Sequence, residues 1–393
     1  MSYTLKLNIL EQLRKQGIIT SIFGFNGEFT KEQLDSIEEL TITNCDDITG
    51  ISELVNLKKL TISSSKLDSF KSVSFINEIK DFSELSLLSN LESLTIMNDY
   101  NIETLDVSNL VNLKIIKIFN APKLTKIQGL DSLTNLKELV VCDCPIRDIG
   151  NIEKFISNTS STTTNVLDIS LTTILKSKKL SSFLKRQYNL GLTNLRFGEH
   201  VYFNDEIYTI NIYQAIELYN KASRVLKELK VDELEDSEIV FKIYKYIISK
   251  LNYDYDGLEY RDKYYKSMND HNKEEIEYFK RRLFIINSSF GAFTHYKVVC
   301  DGYVNMMRYM LTLLNIPSQT VVCQRKNGEL HSAIKYKIND KWFYADPEQD
   351  KDVQDIKYFN LSKEELEEIY NLTLKEDYEK DGSYGEHTKK FNR

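Results

Sequence analysis

Cys300, His331 and Asp346 are the residues of this chain whose types and order could do chemistry together. A thiol is a strong nucleophile only as the thiolate. An imidazole can take its proton, and a carboxylate can orient that imidazole and stabilise its charged form. Val299-Cys300-Asp301-Gly302-Tyr303 is followed by Met306, Met307, Tyr309, Met310, Leu313 and Leu314, a spacing that predicts a buried helix closed at Asn315-Ile316-Pro317. A cysteine on the first turn of that helix lies at the positive end of its dipole, which predicts a lowered thiol pKa. Strand-like runs follow at 319–324 and 332–338 with Asn327-Gly328 between them, and a third at 341–346 follows a tight turn at Asn339-Asp340. His331 opens the second run and Asp346 closes the third, so a sheet folded against the helix start would gather all three. The reaction would be acyl transfer. The sulfur attacks an amide or ester carbonyl, a thioester forms, and water or an amine resolves it. The Cys300 amide is the first candidate for an oxyanion donor, with His295 and Tyr296 as candidates for a second.

Taken singly, each residue has a plainer reading. A cysteine on an apolar helix packs the core, and Cys323 is read that way; a histidine can edge a strand; Asp-Pro is a turn. Their joint order is what carries weight, and it resembles the transglutaminase-like (papain-like, cysteine protease-like) superfamily. Cys300-Asp301-Gly302-Tyr303, Leu314-Asn315-Ile316-Pro317, His331-Ser332-Ala333 and Lys341-Trp342-Phe343-Tyr344-Ala345-Asp346-Pro347-Glu348-Gln349-Asp350 match that family's motifs in sequence. Tyr253-Asp254 matches its segment upstream of the nucleophile, so the likeness covers roughly 210–350. The resemblance implies an α+β domain with Cys300, His331 and Asp346 as the catalytic triad. Two departures stand out. No aromatic follows the histidine, and the acidic end reads Pro-Glu-Gln-Asp, which together predict an unusual pocket.

The other half of the chain is a repeat. L-x-x-L-x-L, with Ile or Val allowed, occurs at Ile37/Leu40/Ile42, Leu57/Leu60/Ile62, Leu91/Leu94/Ile96, Leu113/Ile116/Ile118 and Leu136/Leu139/Val141, with a degenerate copy at Val166/Ile169/Leu171. An insertion falls around 71–82. The pattern resembles the internalin-like leucine-rich repeat family. In each L-x-L pair the two apolar side chains share one strand face, and stacked parallel strands would bury them. Ile48, Ile51 and Leu54, or Ile127, Leu130 and Leu133, would fill the space behind. A small polar residue is expected three positions after each pair; Cys45, Ser65, Asp99 and Cys144 hold that slot, with Asn98 and Asn120 one position away. Thr41, Thr61, Thr95, Lys117 and Val140 would face the concave side. A metal site on Cys142 and Cys144 lacks a second ligand pair.

These readings give a multi-domain α/β and α+β chain. A cap at 1–34 leads into a leucine-rich repeat solenoid at 35–172. A linker or closing cap follows at 173–194, then the transglutaminase-like domain at 195–375 and a polar tail at 376–393. Within the last domain a hairpin is read at 201–208, helices at 215–229 and from Asp236, and a charged, tyrosine-rich surface excursion at 256–282. His200, His271 and His387 have no partner pattern and are read as surface residues.

The net charge is −7, and residues 1–195 carry 21 Lys+Arg against 23 Asp+Glu, so neither half has the basic excess that nucleic acid demands. Five cysteines, an odd number, argue against a disulfide framework and for a reducing compartment. The start of the sequence shows no secretory leader and no apolar run reaches the length of a membrane helix, so a cytoplasmic location is expected, with secretion open. No cofactor and no metal is expected. The functional reading is a cysteine-dependent peptidase, amidase or transglutaminase whose repeats recruit a protein or peptide on their concave face. The alternatives are an inactive protein-binding module and an enzyme for a small amide with a purely structural array.

Overall fold

The computed structural model describes residues 1–19, 27–64, 77–142, 144–146, 148–150, 166–168, 178–189, 195–203, 206–325, 328–351 and 355–370. The expectations for Ser65, the first half of the 71–82 insertion, Ile169 and Leu171, Asn204-Asp205, Asn327, His387 and the 376–393 tail lie outside these residues, as does part of 173–194. The fold is mixed α/β, and the chain divides into two compact units, Met1–Leu195 and Arg196–Tyr378.

The first unit opens with α1 (Tyr3–Lys15), whose first turn is capped by the Ser2 hydroxyl accepting from the Leu5 amide at 3.2 Å. Its buried face, Leu5, Ile9, Leu10 and Leu13, lies against the first strand. A reciprocal Thr30/Gln33 capping box starts the short α2 (Lys31–Asp35). Eight strands follow: β1 (Glu39–Ile42), β2 (Lys59–Ser63), β3 (Ser93–Met97), β4 (Thr104–Asp106), β5 (Ile115–Phe119), β6 (Lys126–Gln128), β7 (Glu138–Cys142) and β8 (Val166–Asp168). Strands β1, β2, β3, β5, β7 and β8 are neighbours in that order and all parallel. Their register stacks Leu40, Leu60, Leu94, Ile116 and Leu139 in one row and Ile42, Ile62, Ile96, Ile118 and Val141 in the next, and every one of these is buried. The x positions Thr41, Thr61, Thr95, Lys117 and Val140 form a row of their own. β4 and β6 pair separately, a second parallel ladder that the hydrophobic pattern does not announce.

Two devices hold successive strands in phase. Asn44, Asn98 and Asn120 follow β1, β3 and β5 with φ of 50°, 54° and 52°, the left-handed turn that asparagine tolerates. Asn56, Asn90, Asn112 and Asn135 each donate a side-chain N–H to a main-chain carbonyl 21 to 35 residues back in the chain. In the expected polar slot Asp99 caps the amides of Asn101 and Ile102. Cys45 and Cys144 donate instead, to the carbonyls of Asp47 and Cys142 at 3.2 and 3.1 Å. α3 (Lys178–Asn189) buries Leu180, Phe183 and Leu184.

The second unit begins with an antiparallel hairpin, β9 (Leu195–Phe203) and β10 (Glu206–Ile210). Asn211 and Gln214 cap α4 (Ile212–Glu228), and α5 (Asp236–Lys250) runs into β11 (Asn252–Tyr253). The expected surface excursion is two helices, α6 (Leu258–Asn269) and α7 (Lys273–Asn287), packed on each other. Leu283, Phe284, Ile285 and Ile286 of α7 are buried, so its last turns belong to the core that the charged stretch before them disguised. α8 (Ser289–His295), β12 (Lys297–Val298) and α9 (Cys300–Leu313) lead to an antiparallel meander of β13 (Ser318–Gln324), β14 (Leu330–Ile338) and β15 (Lys341–Ala345). The turn between β14 and β15 has Asn339 and Asp340 at φ 48° and 62°, the two left-handed residues of a type I′ hairpin. α10 (Lys363–Tyr370) closes the described chain, burying Leu366 and Tyr370. No helix among the described residues is long and apolar enough to cross a membrane.

Candidate active site

Cys300 is the first residue of α9, and Val299 before it is extended and accepts from the Gly302 amide at 2.9 Å. At this position the Cys300 amide has no partner within its own helix. The helix start is pressed onto α7 and β12. The Val299 amide donates to Ile286 O at 3.0 Å, and a methyl group on Gly302 would overlap Val298 and the Ile286 carbonyl. Glycine is therefore required there for the sulfur to sit where it does.

His331 is the second residue of β14, opposite Cys323 on β13, and Asp346 directly follows β15. α9 packs on β14, and Ser332 donates a hydrogen bond to Asp301, tying the residue after the cysteine to the residue after the histidine. The three residues come together. His331 Nε2 lies 2.5 Å from Asp346 Oδ2, and both side chains are almost fully buried. Cys300 Sγ, a His331 ring nitrogen and a Glu348 carboxylate oxygen lie within 4.8 Å of one another. Since Asp346 takes Nε2, Nδ1 is the nitrogen left for the sulfur.

Asp346 is over-determined. Tyr370 also donates to Oδ2, and the amides of Glu348 and Gln349 donate to Oδ1 at 3.1 and 3.3 Å. Burial by itself would raise its pKa; His331 and these donors outweigh burial and hold the carboxyl below its ordinary value. Burial works against the imidazolium of His331 too, but Asp346 beside it holds the ring well above its usual value. Asp350 fixes the loop beyond. It accepts from Tyr244 at 2.6 Å and from the amides of Lys357 and Tyr358, each at 2.9 Å.

The thiol departs from expectation. A helix start predicts a lowered pKa, whereas burial of the sulfur and the Asp301 carboxylate push Cys300 up, against the pull of His331. The charge on the second residue of the helix offsets what the dipole offers.

His295 and Tyr296, the expected second oxyanion donors, have contacts elsewhere. His295 Nδ1 meets the Thr294 hydroxyl at 2.7 Å, with Arg282 and Lys221 as its charged surroundings. Tyr296 sits at φ 56°, its carbonyl accepting from the Asn252 amide and its side chain near Tyr246. Neither has a described contact with Cys300.

Four residues beside the site were given no role from sequence. Arg325, just past β13, places Nη2 3.1 Å from His331 Nδ1 and 2.5 Å from Glu348 Oε1. Glu348 is pushed up by burial. Tyr370 tilts against the imidazole at 5.6 Å between ring centroids. Tyr253 lies close enough to Cys300, Glu348 and Arg325 to feel their charges. Glu348 sits in the quoted acidic motif at one of its departures. Tyr253 belongs to the quoted Tyr253-Asp254 segment, and Arg325 and Tyr370 carry no signal of their own. Ala333, where the family has an aromatic, is buried among Val321, Cys323, Tyr344, Leu361, Leu366 and Tyr370.

Cys300, His331 and Glu348 are also a donor set of the kind zinc accepts. The guanidinium of Arg325 stands on two of the three, so a positive charge already occupies that ground. Cys142 and Cys144 join no such group among the described residues. A cleft of about 700 Å³ in the first unit, lined by Asp81, Phe82, Asn101, Glu103 and Lys123 among others, holds neither cysteine nor histidine.

No family model and no curated protein matches the chain. Among solved structures it is similar to a TGase, at 15% identity over 43% of this chain and 38% of that one, TM-score 0.28. It is also similar to internalin C2 of Listeria monocytogenes str. 4b F2365, at 20% identity over 49% of this chain and 90% of that one, TM-score 0.25. Internalin InlF of the same strain gives 18% identity over 55% and 72%, TM-score 0.19. The chain thus spans well under half the length of the TGase, and likeness at this level fixes neither activity nor substrate.

Proposed function

We propose that the second unit is a transglutaminase-like cysteine acyl-transfer domain with Cys300 as nucleophile, His331 as base and Asp346 as the residue that orients the base. The observation that carries this is the buried contact of His331 Nε2 with Asp346 at 2.5 Å while a His331 ring nitrogen lies within 4.8 Å of the Cys300 sulfur. In the reaction the sulfur bonds to the carbonyl carbon of an amide as its proton passes to His331 Nδ1. The developing oxyanion is met by the Cys300 amide at the helix start. The imidazolium then protonates the departing amine, leaving a thioester. Water gives hydrolysis and a second amine gives transamidation.

The first unit, on this reading, is an internalin-like leucine-rich repeat array over 35–172, and the domain begins near 195. The in-register row of Thr41, Thr61, Thr95 and Lys117 supports a protein- or peptide-binding face, while Val140 at the end of the row is buried. The test is to incubate the protein with a mixed peptide library, quench in acid and look for a thioester on the Cys300 peptide by mass spectrometry. The adduct is expected in the wild type and absent from Cys300→Ala. Its absence from a folded wild type, with no peptide consumed, sinks the enzyme. The raised thiol and the guanidinium on Nδ1 favour the second reading in that event, a non-catalytic pair of protein-binding modules.

A further inference from the structure

Arg325 is not used by the mechanism above, and its geometry is hard to reconcile with a purely structural role. A guanidinium has donors only, so its contact with His331 Nδ1 requires a lone pair on that nitrogen. Nδ1 is also where the Cys300 proton must go. Asp346 gives the ring a high proton affinity, but the arginine contact has to break before Nδ1 can take a proton. The hold on Arg325 is incomplete. One nitrogen, Nη2, serves both His331 and Glu348, while Arg325 Nε and Glu348 Oε2 are buried without a hydrogen-bond partner. The Glu348 side chain is only 9% exposed, so its free oxygen is aimed inward at the cluster, whereas the arginine side chain keeps 31% exposure and can move. A buried donor and acceptor left unpaired are each destabilising. A planar fork engaged through a single nitrogen leaves the geometry that suits arginine best, two parallel N–H···O bonds to a carboxylate, unused.

We propose that Arg325 is a specificity-determining residue that reads a carboxylate beside the scissile acyl group, so that the preferred substrate is an acidic peptide or amide. The carboxylate takes the Nε/Nη2 fork, the guanidinium leaves Nδ1, and the freed nitrogen accepts the Cys300 proton. Substrate recognition and release of the base are then one movement. This rests on the acyl-transfer reading, and it names the substrate class for the same site.

The test uses two alkylating reagents of nearly equal size, iodoacetate and iodoacetamide, on the full chain. In either reaction the sulfur–carbon bond forms as carbon–iodine breaks, iodide leaves, and the thiol proton passes to His331. The iodoacetate-to-iodoacetamide rate ratio at Cys300, followed by mass spectrometry, should exceed that of glutathione in the same buffer by about tenfold or more, the scale of a charge-assisted fork. Arg325→Gln should bring the ratio down to the glutathione value. Arg325→Lys, which keeps charge without the fork, should fall between. N-acetylglycine and N-acetylaspartate amide, as protectants against iodoacetamide, separate a terminal carboxylate from a side-chain one, and protection by either supports the proposal. A wild-type ratio equal to glutathione's, a ratio indifferent to both substitutions, or protection by neither compound overturns it while leaving the cysteine enzyme standing. A Cys300 inert to both reagents overturns the acyl-transfer reading and this proposal together.

Discussion

Asn98, Asp99 and Asn120 of the first unit are as buried as Asp301, His331 and Asp346 of the second, yet they answer to different partners. In the first unit the buried polar groups mainly serve the main chain. Asp99 caps two amides, Asn77 accepts from the Cys45 amide, and the Cys45 and Cys144 thiols donate to carbonyls two residues away. In the second unit Asp301 accepts from the Ser332 hydroxyl, and the others meet titratable side chains: His331 with Asp346, Tyr370 with Asp346, Tyr244 with Asp350, Arg325 with Glu348. The first arrangement satisfies turns that a parallel ladder creates at every repeat. The second concentrates charge where burial makes each interaction strong and each unpaired group costly. Polar burial by itself therefore does not mark a site; polar burial among groups that exchange protons does.

The sharpest break of this comparison is between cysteines. Cys300→Ala should abolish both thioester formation and turnover while leaving the denaturation midpoint nearly unchanged, because one small group is removed from a helix start. Cys144→Ala should do the reverse, leaving activity intact and costing about 1 kcal/mol, the worth of a small buried contact. Turnover surviving in Cys300→Ala would put the two cysteines in the same class.

Next in size is Asp346→Asn, expected to lower turnover by on the order of 10²–10⁴ through loss of the oriented imidazole. It also has a pH signature. Asp346 is held below its unfolded value, so its contribution to stability is present above about pH 4 and lost as pH falls through the native value. His331 is held above its unfolded value, so its contribution is complete below about pH 6.5 and fades as pH rises toward the native value. The stability gap between wild type and Asp346→Asn should thus be widest from about pH 4 to 6.5 and shrink on both sides. Urea midpoints measured from acid to alkali test this; a gap that stays flat across the range removes the ion pair from the account.

In the parallel ladder of the first unit, Ile118→Ala should cost about 2–5 kcal/mol, since Ile118 is fully buried between Ile96 and Val141 and neighbours on both sides constrain collapse of the cavity. Thermal unfolding monitored in the full chain should show the loss, with reactivity at Cys300 unaffected. A matched fall in Cys300 reactivity would mean the two regions are not independent.

How far the sequence reached differs between the regions for a physical reason. The parallel ladder was legible because period-two burial repeats at each strand, so Leu40, Leu60 and Leu94 could be aligned before any coordinates. The β4–β6 ladder was not, because three-residue strands carry too little pattern. Nor was the asparagine series at 56, 90, 112 and 135, where a side chain reaches into the preceding repeat. Cys300, His331 and Asp346 could be named because each sits where an element begins or ends. Arg325 and Tyr370 could not, since one reaches the site past the end of a strand and the other from a helix 24 residues beyond Asp346. The dipole that favours the thiolate is visible in sequence, whereas the burial and the Asp301 charge that push the thiol the other way show only in the fold.

The smallest effect expected is also the one that separates backbone from side chain. Asn120 holds φ at 52° after β5, and its side-chain amide donates to Asn98 Oδ1 at 2.7 Å. Asn120→Ala loses the hydrogen bond and leaves a β-carbon in the left-handed region without the polar side chain that lets asparagine tolerate it, whereas Asn120→Gly loses the same bond but keeps the conformation freely. The side-chain loss cancels between the two, so the glycine variant should be the more stable by roughly 1 kcal/mol, the lower end of what the left-handed region costs an ordinary residue. Glycine carries its own entropic penalty in the unfolded chain, which works the other way and keeps the difference small. Chemical denaturation of the pair in parallel would resolve it. An alanine variant as stable as the glycine one would mean that the turn relaxes when Asn120 is replaced, and that the hydrogen bond to Asn98, not the backbone angle, is what asparagine supplies at this position.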